Sequence, residues 1–329
     1  MTPRYDAAAL VDGARRGERS ALARLITLFE SRRADHRLIA EDALRLLAPH
    51  AGGALRLGIS GPPGAGKSTF IERLGVDLLD AGRRPAVLAV DPSSGKRGGA
   101  ILGDKTRMPK LAADLRAFVR PSPSGGKLGG VARATREAIA AVEAAGFDIV
   151  IVETVGAGQN EFVVADMVDF FLLLLPPASG DELQGVKKGV VELADMVAIN
   201  KADGDMLPRA RTAASEYSAA LRLVTREDGW SPPVRTVSAV TGDGVAALWE
   251  TVEGRVAELR ASGGLEAMRA NQREGWLWAA IEDQLIDAFR SHPNVAAAAP
   301  DIAAAVRAGA ISAAEGARRL LDGFRTPAG

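Results

Sequence analysis

Residues 58–70 read GISGPPGAGKSTF, and within them Gly61, Gly66, Lys67 and Ser68 have the spacing G-x-x-x-x-G-K-[ST] of a phosphate-cradling loop. Glycine is needed there because backbone N–H groups must converge on phosphate oxygens, and a side chain would block the approach. Lys67 is the candidate to reach β- and γ-phosphates, and the Ser68 hydroxyl the candidate to ligate Mg²⁺. The nucleotide-binding candidates in this loop are Gly61, Pro62, Pro63, Gly64, Ala65, Gly66, Lys67, Ser68 and Thr69. A chance glycine turn is the rival reading, and the flanking pattern argues against it. The apolar stretch Ala54 to Ile59 precedes the loop as a buried strand. Phe70, Ile71, Leu74, Leu78 and Leu79 follow it at helical spacing. The start of that helix would add its own partial positive charge.

Two acids follow apolar runs in the same manner. Asp91 ends Ala86 to Val90, and Glu153 ends Ile149 to Val152. A carboxylate at such a position can hold Mg²⁺ directly or through water, or can simply cap the next element. With Ser68 and with Asp104, in the glycine-rich stretch GKRGGAILGDKTRM, they make a candidate metal set: Ser68, Asp91, Asp104 and Glu153. Gly156 could offer its N–H to a γ-phosphate, so Lys67, Glu153 and Gly156 form the candidate catalytic set. Gln159 lies three residues past Gly156, too far to name as the group that positions water. Arg97, Lys187 and Lys188 are candidate charge stabilisers. The stretches 95–108 and 176–189 suit segments ordered by γ-phosphate and Mg²⁺, or plain solvent loops.

Further along, Met196 to Ile199 leads into Asn200-Lys201-Ala202-Asp203, the N-K-x-D pattern that selects guanine. A carboxylate accepts from both the ring N–H and the exocyclic amine of guanine. Adenine offers no such pair, and unmatched buried acceptors are strongly penalised. Asn200 is expected to tie the base loop to the phosphate loop, and the Lys201 stem to cover the base. Ser238-Ala239 matches the short S-A element whose backbone contacts the guanine carbonyl.

The elements that must position these residues alternate. Residues 54–250 run strand, helix, strand, with strands expected at 54–60, 85–91, 116–120, 148–153, 168–175, 195–200 and 234–238. Such alternation predicts an α/β fold of the P-loop NTPase kind, a mostly parallel sheet with helices on both faces and ligands at the carboxyl ends of the strands. Residues 5–50 and 245–329 read as helical extensions. The expected organisation is an N-terminal helical segment over 1–53, a nucleotide domain over 54–260 and a C-terminal helical segment over 261–329. In the last, Leu277, Ile281, Leu285 and Phe289 form one stripe beside Trp276 and Trp278, either a core face or a dimer contact.

Composition narrows the classes. The chain has 329 residues, 47% hydrophobic and 25% charged, as in ordinary globular proteins. Lys+Arg and Asp+Glu are both 41, which argues against a dedicated nucleic-acid binder. There is no cysteine, and His36, His50 and His292 are scattered, so thiolate metal sites are excluded and a tight transition-metal site is disfavoured. The most apolar run, Phe170 to Leu175, is far short of a membrane span, and the first residues carry Asp6, Asp12 and Glu18 rather than a signal core. A cytoplasmic protein with no membrane partner is expected.

Taken in order, GPPGAGKSTF, VDPSS, GGAILGDKTRM, ETVGAGQNE, GDELQGVKKGVVELAD and NKAD closely resemble the methylmalonyl-CoA mutase-associated GTPases, often labelled LAO/AO transport ATPases. The resemblance spans about residues 20–295. It implies a homodimeric GTPase that turns GTP into GDP with Mg²⁺ and binds an adenosylcobalamin-dependent acyl-CoA mutase, which it protects while gating cofactor loading. It also implies Mg²⁺-site roles for Asp91 and Glu153, a first switch at 93–107, a second at 154–162, and a further one at 178–189 that signals to the mutase. The C-terminal helices would make the dimer. Family members commonly carry Thr-Gly-Gly-Ser before Ile-Leu-Gly-Asp. Here Arg97-Gly98-Gly99-Ala100 stands there, so two hydroxyls are missing. A metallochaperone GTPase is the nearest alternative, which the missing cysteines disfavour. A transport-associated ATPase or kinase is the other, which Asp203 disfavours.

Overall fold

In a computed structural model the described residues are 5–90, 108–121, 128–154, 160–177, 188–222 and 228–326. Among the described residues seven parallel strands form one sheet: β1 (Leu55–Ser60), β2 (Pro85–Val90), β3 (Phe118–Arg120), β4 (Ile149–Thr154), β5 (Phe170–Leu175), β6 (Met196–Ile199) and β7 (Val234–Thr236). Their order is β3-β2-β4-β1-β5-β6-β7, so β1 sits centrally between β4 and β5. Strands covered on both faces have no solvent side to keep polar, which is why β5 reads FFLLLL and β4 opens IVIV.

One face of the sheet is covered by α4 (Lys67–Asp80), the short α5 (Pro109–Ala113) and α10 (Val245–Ala261). Leu57, Ile59, Phe170 and Leu172 point to that side and pack with Phe70, Leu74, Leu111, Leu248 and Val252. At ~2 kcal/mol for each large side chain removed from water, this cluster is the main support of the nucleotide fold. The other face takes α6 (Leu128–Ala144), α7 (Asn160–Ala165) and α8 (Lys188–Leu193). α9 (Leu207–Leu221) lies against β6 and β7.

The N-terminal helices α1 (Ala7–Arg15), α2 (Arg19–Glu30) and α3 (Ala34–Leu47) bury Leu22, Leu25, Ile26 and Phe29 and lean on α6. Ion pairs fix that flank. Arg37 donates twice to Glu137 at 3.0 and 2.9 Å, and Arg120 at the end of β3 pairs with Glu30. Arg19 donates to the carbonyls of Asp114 and Ala117 at 3.1 and 2.7 Å.

The chain divides into two compact units, Met1–Gln272 and Arg273–Gly329. Helix α11 (Gly264–Ser291) begins in the first. In the second, α12 (Pro293–Arg307) and α13 (Ala313–Arg325) form a small pair. Phe324 meets Phe289 and His292 at ring-centre distances of 5.3 and 5.2 Å, and Asn294 bonds the Gly323 carbonyl. Among the apolar residues of α11, Leu277, Trp278, Leu285 and Ile286 are exposed, so the stripe predicted there is not a buried core face.

Candidate functional site

The candidate residues that are described lie at or just after the carboxyl ends of β1, β4, β6 and β7. The turn after β1 is shaped by two glycines. Gly61 has φ +155, and a β-carbon there would lie 1.9 Å from the Leu174 carbonyl oxygen of neighbouring β5. Gly66, at φ +88, starts α4, and a β-carbon there would strike the Asn200 amide at 2.6 Å. Neither position accepts another residue without displacing backbone or a bridging side chain. Pro63 and Gly64 stand exposed at the tip, with Pro62 partly so, while Ala65 is buried.

Lys67 is buried, and its ammonium donates to the carbonyls of Gly61 and Pro62 at 2.6 and 3.3 Å. The cation is thus held over the loop. Ser68, next in the first turn of α4, donates its hydroxyl to Glu153 Oε1 at 3.1 Å. Glu153 is 3% exposed. The fold therefore joins the loop serine and the carboxylate of β4, residues far apart in sequence. A buried hydroxyl pair, Thr154 donating to Ser60 at 2.9 Å, joins the ends of β4 and β1. Thr69 is exposed beside them. Asp91, Asp104, Gly156, Arg97, Gln159 and Lys187 lie outside the described residues, as does the side chain of Lys188.

The second cluster forms after β6 and β7. Asn200 is buried and bridges both loops: its amide donates to the Ala65 carbonyl at 2.8 Å, and its Oδ1 accepts from the Ala239 N–H at 3.1 Å. Lys201 alone among the described non-glycine residues has positive φ, +59. That left-handed turn is costly for a side-chain-bearing residue and persists where surrounding bonds dictate it. Here they do, because the neighbouring amides of Asn200 and Ala202 donate to Leu175 and Val237. The stem of Lys201 comes back alongside Gly66. Asp203 accepts a short hydrogen bond from the Ser238 hydroxyl, and that hydroxyl in turn accepts from the Thr241 N–H at 3.1 Å. The sequence pattern assigned only backbone work to Ser238-Ala239; the structure adds a side chain that aims the Asp203 carboxylate.

A hydroxyl touching a carboxylate at the phosphate loop, and an oriented carboxylate joined to that loop through Asn200, form a candidate nucleotide site of the P-loop kind. A family model described as methylmalonyl Co-A mutase-associated GTPase MeaB matches residues 22–294. The chain belongs to this family. It is accordingly a GTP hydrolase on a P-loop fold. A putative GTPase of Caulobacter vibrioides is 55% identical over 98% of this chain and 99% of its own length. The GTPase ArgK of Escherichia coli is 43% identical, covering 95% of each chain. The mouse protein named methylmalonic aciduria type A homolog, mitochondrial, is 46% identical over 96% of this chain and 79% of its own. A crystal structure of an LAO/AO transport system kinase superposes with TM-score 0.76 at 36% identity, covering 99% and 100% of the two chains. Among the described residues no helix is long and apolar enough to cross a membrane.

One polar cluster escaped the sequence. At the opposite, amino edge of the sheet, Asp169 accepts from Arg269 at 2.8 and 2.6 Å and from the Arg56 N–H at 2.9 Å. Arg269 also donates to the Gly52 and Ala54 carbonyls at 2.6 and 2.7 Å, and Arg56 pairs with Glu143 at 2.8 Å. Burial opposes the Arg269 charge, yet the Asp169 bond and the nearby carboxylates outweigh it and raise its pKa. An arginine in an amphipathic helix gives no local sign of such partners.

Proposed function

We propose that this GTPase is a chaperone of an adenosylcobalamin-dependent acyl-CoA mutase, most simply methylmalonyl-CoA mutase, protecting it and gating its cofactor loading. Membership in a family named for mutase association supports the partner. The observation that carries the nucleotide site is Asn200, which bonds both Ala65 and Ala239 and so fixes the distance between phosphate loop and base loop.

In this reading the backbone N–H groups of residues 64–69 and the Lys67 ammonium hold the phosphates. A water oxygen bonds to the γ-phosphorus as the bond to the β–γ bridging oxygen breaks, giving GDP and phosphate. Lys67 stabilises the charge that gathers on the phosphate oxygens. Asp203, aimed by Ser238, accepts from the two guanine donors. The hydroxyl of Ser68 beside the Glu153 carboxylate is a hard-oxygen donor set of the kind Mg²⁺ prefers, so these residues would hold the ion, with Asp91 and Asp104 as further proposed ligands. Bound there, Mg²⁺ would neutralise β- and γ-phosphate charge. The exposed Leu277, Trp278, Leu285 and Ile286 support a homodimer through α11, which sedimentation would test.

The deciding experiment measures GTP hydrolysis by the purified protein, alone and with each of a panel of cobalamin-dependent acyl-CoA mutases. Acceleration by one mutase is expected and names the client. A basal rate that no mutase changes overturns the chaperone role. The name of the solved relative, a transport system kinase, favours a second reading in which ATP is used. Competition of ATP against GTP separates the two, and an ATP preference would remove the role given to Asp203.

A further inference from the structure

Helix α4 carries Lys67 and Ser68 in its first turn and Arg73 further along. The Arg73 guanidinium lies against the loop that holds Ser238 and Ala239. A β-carbon built on Gly242 would fall 2.5 Å from Arg73 Cζ, 2.5 Å from one terminal nitrogen and 2.8 Å from the other. Such near-equal distances mean that the guanidinium lies flat on the Gly242 α-carbon. Arg73 Nε donates to Asp77 Oδ2 at 3.0 Å, one turn along the helix, which holds the plane in this orientation. Gly242 has φ +88, so a bare α-carbon is both required by the turn and available as a stacking surface.

The loop resting on Arg73 is bonded mostly to itself. Gly242 N–H donates to the Ser238 carbonyl at 2.8 Å, and Ser238 N–H donates to the Asp243 carbonyl at 2.9 Å. Val240, in the middle, is 76% exposed and anchors nothing. Yet this loop supplies the Ser238 hydroxyl to Asp203 and the Ala239 N–H to Asn200. Its ends are held by buried Val237 and Val245, and its turn at Gly242 rests on Arg73 of α4.

We propose that Arg73 is a positioning residue for base recognition: lying flat on Gly242, it seats the 238–244 loop on the phosphate-loop helix and, through Ser238, aims Asp203 at the purine. This rests on the reading of Asp203 as the base acceptor. Arg73 touches no nucleotide atom in this scheme. Its planar face matters more than its charge, so lysine, which lacks the plane, does not replace it.

The test titrates the full-length protein with Mg²⁺–GDP and with Mg²⁺–tripolyphosphate, a ligand that uses the phosphate loop and has no base. Arg73→Ala is expected to weaken GDP about fivefold while tripolyphosphate stays within about twofold. Arg73→Lys should remain as weak for GDP as the alanine variant, and thermal unfolding of both should match the parent. An equal loss for both ligands, no loss for either, or full rescue by lysine overturns the proposal. Asp203→Asn, titrated with GDP and XDP alongside, separates the two layers. If it fails to shift preference toward xanthine, the base-site reading falls and the Arg73 proposal with it. If it shifts preference while Arg73→Ala binds GDP normally, only the Arg73 proposal falls.

Discussion

The two edges of the central sheet are built on opposite principles. At the carboxyl edge, polar contacts join one loop to another, Ser68 to Glu153, Asn200 to Ala65 and Ala239, Ser238 to Asp203, while Ser68, Lys201 and Asp203 stay partly or fully open to solvent. At the amino edge, Arg269, Asp169, Arg56 and Glu143 are all buried and bonded several times over. The first arrangement leaves donors and acceptors for a ligand. The second satisfies its own charges and ties the start of α11 to the base of β1 and β5. One edge is made to exchange partners and the other to keep them, and both are needed because a loop site is only as well placed as the strands beneath it.

The contrast can be broken most severely at Lys67. Lys67→Ala should lower GTP turnover by at least about 100-fold, as for loss of a main transition-state donor, while unfolding by denaturant is unchanged. A comparable fall in stability would mean that the carboxyl edge also carries structural load. Arg269→Ala is the converse. It strands the Asp169 carboxylate in a site with 0% side-chain exposure and should cost about 3–5 kcal/mol of unfolding free energy, with turnover per folded molecule preserved. Lost turnover with intact stability would reverse the assignment of the two edges.

The smallest effect sharpens the comparison by pH. Asp114, at the turn into β3 on the amino edge, is held at about 2, chiefly by the Arg116 side chain and also by the Arg116 N–H. Its folded value lies below its ordinary 3.8, so its contribution is present above that value and is lost as pH falls toward about 2. Asp114→Asn should lower stability slightly above pH 3.8, neutrality included, and flatten the fall in stability between that value and about 2. Acid unfolding followed by circular dichroism checks this, and an unchanged acid slope would remove Asp114 from the edge's support.

Much of this was legible in the chain because it is local. The phosphate loop declares itself by glycine spacing between a strand and a helix, and the N-K-x-D turn by its place after β6. Each strand lies within the stretch expected for it apart from a one-residue shift at the end of β4, since runs such as FFLLLL have no other stable use in a sheet covered on both faces. The stripe on α11 showed which residues share a face but not what covers it, and within the second unit Leu277 and Leu285 stand exposed.

By itself, then, the sequence determined the order of strands and helices, the loop types and the residues proposed here to bind phosphate and guanine, because these depend on spacing over a few residues. Only the tertiary structure decided which distant groups meet. Arg269 finds Asp169 across 100 positions and the Gly52 carbonyl across 217, and Arg73 finds Gly242 across the fold. A buried polar group takes whatever partner the packing brings within bonding distance, and that distance is set by the whole sheet rather than by neighbours in the chain.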